Sequence, residues 1–338
     1  MNTVSTSTEN QFKSRFGLRR VYESNAQTQT LRLREHQVEL GEKESSQYEK
    51  VREWIPSSKS LENLEKDTGL NETSLEKLFS TLEGSGLLYD RGKIPQSVSG
   101  EVFHQEYFSK FLPVWLDEAF SHPFWEKMMS GKGSARLFSG WMMELYHYTL
   151  NANRHMPLSC AHTGDKRVKT LRAKHYHEEW NHYHYFLKSL KHLGYSEADV
   201  MQSTPLPMTL ALSNFMRQAA REDILAYSIC SAVLEGTTTD RNSYNPYYEK
   251  SIELYGIPRE AVKPIYAHLD LDIKYGHSDL FRDILKGVEH ISAARASKIL
   301  NYGHQLVEHI WLWTDAIEKY YGDEKNLFPR KQFDPNQD

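Results

Sequence analysis

The sequence predicts an all-α protein in which a large helical domain follows a small N-terminal domain. Beyond residue 101 the chain is a succession of helical segments, and no convincing run of alternating strand residues interrupts them. Clusters of Gly, Pro, Asn and Ser separate these segments. Upstream, three short helical patterns precede a Gly-rich turn. The 338 residues are more than one typical domain needs, and we expect two.

The N-terminal region opens with a polar stretch. Residues 1–45 are rich in Ser, Thr, Gln and Glu, and we expect a disordered lead followed by a helix from Gln27 to Glu44. In residues 46–95, Ser60 and Asn71 stand before apolar runs as N-cap candidates, and glycines follow these runs as stop signals. The order helix, helix, helix, hairpin predicts a small winged helix.

The charge of the winged helix bears on the partner that it could bind. Its helix from Thr73 to Glu83 carries acidic side chains, which would repel the phosphates of DNA. The runs Ser60–Leu70 and Leu82–Tyr89 resemble the PqqD-like modules that recognise leader peptides of ribosomally made natural products. Three roles stay open: a peptide-binding module, a purely structural or dimerising domain, and a DNA-binding domain.

The larger domain is predicted to span residues 101–322 as one helical bundle. A linker from Pro95 to Gly100 precedes it, and residues 323–338 form a tail that we expect to be disordered. Its predicted helical segments cover residues 101–120, 122–130, 133–155, 167–193, 207–235, 240–255, 258–286 and 290–321.

Composition excludes several classes of function. The formal net charge of −4 gives no electrostatic footprint for nucleic acid or for an anionic membrane. No apolar run approaches the roughly 18 residues of a membrane span, and the N-terminus lacks a signal-peptide pattern. Cys160 and Cys230 are the only cysteines, too few for a disulfide framework. We therefore expect a cytoplasmic protein.

The stretch from Lys174 to His184 packs carboxylates and imidazoles into one predicted helix. Glu179 and His182 lie three residues apart and would share one face, which is the spacing of metal ligands. Such a motif is common on solvated helices, so its significance depends on distant partners. The candidate partners, each in an apolar or aromatic run, are Glu144, Glu235, His268 and Asp272.

These motifs occur in an order that resembles the heme-oxygenase-like diiron oxidases and oxygenases, relatives of thiaminase II and pyrroloquinoline quinone synthase. The order is a Glu, then Glu-x-x-His, then a lone Glu, then His-x-x-x-Asp, and the resemblance covers about Val102 to Tyr321. It implies a heme-oxygenase-like bundle that holds two iron ions per chain. The metal ligands that it implies are Glu144, Glu179, His182, Glu235, His268 and Asp272.

The sequence departs from the family pattern at one position. The family usually continues His-x-x-x-Asp-x-x-His, and the last position is Tyr275 here. Helix geometry places Tyr275 on the face of His268, whereas His277 points to the opposite side unless Gly276 distorts the turn. The second iron is then loosely held, gains a Tyr or water ligand, or is absent.

Simpler interpretations exist for individual residues. Glu144 could be a satisfied polar residue of the core, and Glu235 could lie at an exposed helix end. Five histidines in the same segments are more often solvated or packed against aromatic rings than ligands: His147, His155, His175, His177 and His184. What favours a metal centre is the joint order of the motifs.

The combined interpretation is an O₂-activating nonheme diiron oxidase or oxygenase acting on an amino-acid-like or peptide substrate in natural-product biosynthesis. N-oxygenation, desaturation and oxidative C–C cleavage all remain open as outcomes, and an external electron donor is implied. The winged helix would deliver a peptide or its leader. Two alternatives remain: a metal-free thiaminase-like enzyme or cofactorless oxidase of the same fold, and a non-catalytic peptide-binding protein. A homodimer is one option for the assembly.

Overall fold

A computed structural model describes residues 15–19, 21, 23–25, 29–33, 37–90, 96–235 and 241–331. The chain divides into two compact units, Met1–Gln96 and Ser97–Asp338. Each unit has its own apolar core. Within the described ranges, no helix combines the length and the apolar character needed to cross a membrane.

The described part of the N-terminal unit includes three helices of eight residues or more and several short strands. Its elements are β1 (Phe16–Leu18), β2 (Glu23–Asn25), β3 (Thr30–Arg32), β4 (Gln37–Glu39), α1 (Glu42–Trp54), α2 (Leu61–Thr68), α3 (Glu72–Gly84) and β5 (Leu88–Asp90). The Ser60 side chain accepts a hydrogen bond from the Asn63 amide, and that of Asn71 accepts one from Ser74. Both caps therefore lie where the sequence predicts them, because these oxygens satisfy amides that have no partner within the helix.

The predicted helix from Gln27 to Glu44 is wrong for the residues that the structure describes. Strands β2, β3 and β4 form an antiparallel sheet there, and the first long helix begins only at Glu42. Leu31, Leu33 and Val38 are buried on one side. Polar residues alternate with them, and this period of two favours strands.

Strand β5 has a partner that the sequence does not suggest. It pairs antiparallel with β1, so that Phe16 lies opposite Asp90. The hairpin expected after α3 would continue into residues 91–95, which lie outside the described ranges, as does most of the predicted disordered lead. The winged helix stays a prediction.

The second unit is a helical bundle. Its elements are β6 (Ser97–Val98), α4 (Gly100–Phe103), a π-helical turn (His104–Phe108), α5 (Ser109–Phe120), α6 (Pro123–Met129), α7 (Ala135–Ala161), α8 (Lys166–Glu179), α9 (Tyr183–His192), α10 (Glu197–Gln202), α11 (Pro207–Glu222), α12 (Ile224–Glu235), α13 (Arg241–Tyr255), α14 (Arg259–Tyr275), a 3₁₀ turn (His277–Asp279), α15 (Leu280–Leu285), β7 (Ile291–Ser292) and α16 (Ala293–Tyr321). Strands β6 and β7 pair antiparallel, so part of the predicted linker belongs to the bundle.

Long helices build the centre of the bundle. Helix α7 packs against α8, α9, α11 and α16, while α9 packs against α14 and α12 against α16. Gly140 permits the approach of α7 to α16, since a Cβ there would lie 2.2 Å from Cγ of Tyr321. Burial of large aromatic and aliphatic side chains between these helices stabilises the arrangement.

The predicted disordered tail is wrong for residues 323–331. Arg136 donates a hydrogen bond to the carbonyl of Asn326 at 2.6 Å, and the Phe328 ring lies 5.0 Å from that of Tyr321. Lys331 forms a β-bridge with Ser203. The tail therefore packs on the bundle up to Lys331, and the residues after it lie outside the described ranges.

Candidate metal centre

Helix α8 presents two candidate ligands on one face near its C-terminus. His175 and Glu179 are four residues apart, so one lies above the other on the helix surface. His175 is buried, and Glu179 is the last residue of the helix.

The Glu-x-x-His motif does not lie within one continuous helix. Helix α8 ends at Glu179, a turn spans 180–182, and α9 begins at Tyr183. The turn nevertheless brings His182 Nδ1 to 2.8 Å from Glu179 Oε2. The predicted pair is therefore close in space, although a helix break rather than a shared helix face produces the contact.

Helix α14 contributes the next pair. His268 and Asp272 lie one turn apart, and His268 Nδ1 is 3.2 Å from Asp272 Oδ2. Asp272 Oδ1 is 3.7 Å from His182 Nδ1, which joins α14 to the turn after α8. Asp272 is buried.

Gly276 directs one further histidine into the same region. Its φ of 69° is in the left-handed region, and its amide closes α14 by donating to the carbonyls of Asp272 and Ile273. The chain then turns back, so that His277 Nδ1 lies 3.0 Å from Glu179 Oε1 and 3.5 Å from Asp272 Oδ1.

The expected position of Tyr275 in the third slot is wrong. Its side chain is 40% exposed, and its ring stacks on the outer side of His277 at 5.7 Å between centroids. Tyr275 is the last residue of α14 and its side chain faces outward, while His277 occupies the place instead.

Glu235 closes the group from the end of α12. Its Oε1 lies 3.5 Å from His175 Nε2, and its Oε2 lies 3.8 Å from His277 Nδ1. Glu235 is thus not the exposed helix-end residue of the simpler interpretation.

Seven side chains converge as two groups that share Glu179. Within each group the candidate ligand atoms all lie within 4.8 Å of one another. We call them the His175 group and the His268 group. The His175 group is His175, Glu179, Glu235 and His277, and the His268 group is Glu179, His182, His268 and Asp272.

Five of the six predicted ligands are among these side chains, and Glu144 is the exception. Glu144 is fully buried on α7 and accepts hydrogen bonds from the hydroxyls of Tyr321 and Thr209 and from the amide of Leu206. Both of its oxygens are therefore occupied by protein donors. The prediction of Glu144 as a ligand is corrected to the alternative, a satisfied polar residue of the core.

Sequence reasoning did not assign His175 as a ligand, and it admitted His277 only if Gly276 distorts the turn. The spacing of His175, one turn before Glu179, was a usable signal. Gly276 was the signal for His277, because glycine commonly ends a helix in the left-handed conformation. Two of the other histidines have ordinary partners, since His147 contacts the Ser203 hydroxyl and His155 that of Tyr227.

The charges of the centre are strongly coupled. Burial raises the pKa of Glu235 to about 7, and the charge of Glu179 contributes to this rise. Burial alone would lower the pKa of His277, but contacts with Asp272 and Glu179 raise it to about 11. Burial lowers the pKa of His175 to about 3. The clustered carboxylates thus hold a proton on one imidazole, which is the behaviour of a site that requires positive charge.

The donor atoms fit a metal. Within the described part of the chain, several buried atoms at this point lack a partner with hydrogen-bond geometry, although some lie close to a carboxylate oxygen. They are both ring nitrogens of His175, Nδ1 of His182 and His277, Oε1 of Glu179 and Oδ1 of Asp272. Buried polar atoms nearly always have a partner, so their concentration here indicates a common ion. Imidazole nitrogens with carboxylate oxygens suit iron.

The orientation of His277 supports the same conclusion. Its Nε2 lies 3.3 Å from Oε2 of Glu178, outside the two groups. When a bound metal displaces the extra proton, this contact favours the tautomer that keeps its proton on Nε2, so that the Nδ1 lone pair faces Glu179 and Asp272.

A family described as iron-containing redox enzymes matches residues 139–307, half of the chain. The chain belongs to this family. Membership implies that the chain binds iron and suggests oxidoreductase activity, and it agrees with the donor set above. All seven converging residues lie within the matched region, so it contains the whole centre.

Solved structures confirm the predicted all-α, heme-oxygenase-like fold. A Shewanella denitrificans domain of unknown function with a heme oxygenase-like fold is 19% identical with a TM-score of 0.59, over 68% of this chain and 98% of that chain. A TenA homologue from Pseudomonas syringae pv. tomato is 12% identical with a TM-score of 0.51, over 63% of this chain and 93% of that chain. A TenA homologue from P. horikoshii is also 12% identical with a TM-score of 0.51, over 63% of this chain and 97% of that chain. A search of curated proteins found no match.

Proposed function

We propose that the two groups hold two Fe(II) ions and that the protein is an O₂-activating nonheme diiron oxidase or oxygenase. The observation that supports this proposal most strongly is the sharing of Glu179 between the two groups, with its oxygens 2.8 Å from His182 and 3.0 Å from His277. Glu179 would therefore help to hold both ions. The iron would be held by residues from α8, α12, α14 and the turns that follow α8 and α14.

The charge of the donor set matches a ferrous pair. Glu179, Glu235 and Asp272 offset most of the charge of two Fe(II) ions, and four neutral imidazoles complete the coordination. When bound, such a pair would supply the electrons and the open coordination positions that O₂ activation needs.

The protein residues hold the donors in place. Glu178 fixes the ring of His277 from outside, and Lys174 in turn lies 3.7 Å from Glu178. His175, His182, Asp272 and His277 are buried, which limits the access of bulk water to the centre.

The substrate class is part of the proposal. We infer an amino-acid-like or peptide substrate in natural-product biosynthesis, with electrons from an external donor. The resemblance of residues 46–95 to PqqD-like modules supports a leader peptide as a further partner.

Anaerobic Fe(II) titration of the full chain, with iron measured per chain, tests the proposal. We expect about two irons per chain in the wild type, and visible absorption changes when O₂ is admitted. His277→Ala should lose at least one iron, because its ring faces both groups. His147→Ala is the matched control, since His147 is also buried but contacts Ser203 instead.

The alternative results point elsewhere. If the wild-type protein retained no iron after anaerobic loading, a metal-free enzyme of the same fold would be the better interpretation. Equal loss of iron in His277→Ala and His147→Ala would indicate damage to the bundle and not removal of a ligand.

A further inference from the structure

Arg172 is a buried cation beside the metal centre. It lies on α8 three residues before His175 and seven before Glu179, so all three side chains project from one face of the helix. Its side chain is only 1% exposed. The guanidinium is therefore enclosed in the bundle, one turn from the His175 group.

The hydrogen bonds of Arg172 are incomplete. Nη1 donates to the Ser231 hydroxyl at 3.3 Å, and the guanidinium carbon lies 4.8 Å from the ring centroid of Tyr227. Nε and Nη2 are buried, and among the described residues neither has an acceptor. No carboxylate of the described chain lies within 4.0 Å of the guanidinium.

Arg295 shows what a satisfied arginine looks like in this bundle. Its Nε and Nη2 donate to the two oxygens of Asp223 at 2.7 and 2.9 Å. A guanidinium prefers such a bidentate contact with a carboxylate. At Arg172 the same pair of nitrogens lacks this partner within the described chain, and the ring face of Tyr227 is only a weak substitute for a carboxylate.

A second buried atom without a partner lies beside the same aromatic residue. His155 on α7 contacts the Tyr227 hydroxyl through Nδ1 at 2.9 Å, and its Nε2 is buried with no hydrogen-bond partner among the described residues. Arg172 and His155 thus flank Tyr227 with nitrogens that still require a polar partner. A buried guanidinium stays charged, and burial without an anion is strongly unfavourable.

We propose that Arg172 binds the carboxylate of the substrate and places the adjacent carbon atoms against the His175 group. This inference rests on the proposed function and narrows it. Such an anchor needs a free carboxylate, which every free amino acid carries and which a peptide carries only on acidic side chains and at its C-terminus. Free acids of the amino-acid type are therefore the substrate class that this anchor favours. A leader peptide then has a role separate from the reacting group.

The test uses the smallest carboxylates, which fit wherever a larger acid fits. The thermal midpoint of the full chain is measured against formate and acetate, with sodium chloride at equal ionic strength and acetamide as the neutral analogue. Metal-free protein and protein loaded anaerobically with Fe(II) are measured in parallel. Wild type should show a saturable rise of about 3 to 6 °C at roughly ten times the dissociation constant.

Two substitutions test whether Arg172 binds a carboxylate or only contributes a charge to the fold. Arg172→Met should abolish the response to formate and, without added carboxylate, should melt no lower than wild type, because an uncompensated charge has been removed. Arg295→Met is the matched control: it breaks the ion pair with Asp223, should lower the midpoint, and should keep the response to formate.

The outcomes decide between the interpretations. A wild-type response no larger than that to chloride overturns the anchor whether or not the variants fold, and so does an Arg172→Met protein that still responds to formate. Failure of the iron proposal is read separately, from the iron content of the same wild-type sample. A formate response in metal-free protein without iron binding would keep the carboxylate site and remove the diiron centre.

Discussion

Gly276→Ala tests whether one left-handed residue assembles the metal centre. A Cβ at Gly276 would meet no atom within 4 Å, so the substitution changes backbone energy and not packing. At φ 69° an alanine is disfavoured by about 1–2 kcal/mol. The metal-free variant can relax by extending α14, which rotates His277 away from Glu179 by about 100° per added residue.

The expected magnitude follows from that backbone energy. Metal binding must return His277 to its place at the cost of the same 1–2 kcal/mol, so the affinity for at least one Fe(II) should fall by about 5- to 30-fold. Anaerobic titration against a chelator of known affinity measures the change. Chemical unfolding of metal-free protein gives the loss of stability.

Gly256 supplies the control for Gly276. It follows α13, has a φ of 66°, and also has no atom within 4 Å of the Cβ that an alanine would add, but it lies outside both metal groups. Gly256→Ala should lose similar stability and keep wild-type affinity for Fe(II). Unchanged affinity in Gly276→Ala, or an equal fall in both variants, would refute the role of the left-handed turn.

Four further substitutions address the ligands and the core. Glu179→Gln should remove both irons, because both groups share this carboxylate, whereas Glu235→Gln should weaken only one; equal iron content in the two variants would contradict the sharing. Glu144→Ala should lower the free energy of unfolding by about 2–4 kcal/mol with iron content unchanged, since it leaves buried donors without an acceptor, and loss of iron would restore Glu144 as a ligand. Burial lowers the pKa of His147 to about 4, so the unfolded chain binds the extra proton first and stability should fall as the pH drops from about 6.5 to 4. His147→Gln should flatten this part of the stability profile, and an unchanged acid slope would show that other groups cause it.

A local sequence pattern predicted one part of the centre that lies within a single helix. The spacing of His268 and Asp272 places both on one face of α14, and the structure shows them in contact. The bundle itself was predictable because its breaks coincide with Gly, Pro and Asn/Ser clusters. Gly, Pro and Asn/Ser clusters and residue spacing are local features of the sequence, and helix limits and helix faces are local features of the structure.

Helix ends and distant contacts could not be obtained from periodicity. His277 was placed on the wrong side because helix geometry was continued past Gly276. Glu144 fits the motif order, but its partner Tyr321 is 177 residues away in the chain. No local sequence pattern shows that a hydroxyl so distant in the chain will donate a hydrogen bond to this carboxylate.

The strands near the N-terminus were missed for a different reason. Leu31, Leu33 and Val38 alternate with polar side chains over runs too short to stand out against a polar background. Strands β2 to β4 contain three residues each, and pairing between them stabilises what each segment alone would not.

Helices α8, α12 and α14 all terminate beside the metal centre, at Glu179, Glu235 and Tyr275. The carbonyl end of a helix carries a partial negative charge of roughly half an elementary unit. Peptide dipoles from three directions therefore add to the electrostatic attraction for cations, independently of any side chain. This backbone contribution to the attraction for cations is unchanged in a variant that neutralises one carboxylate.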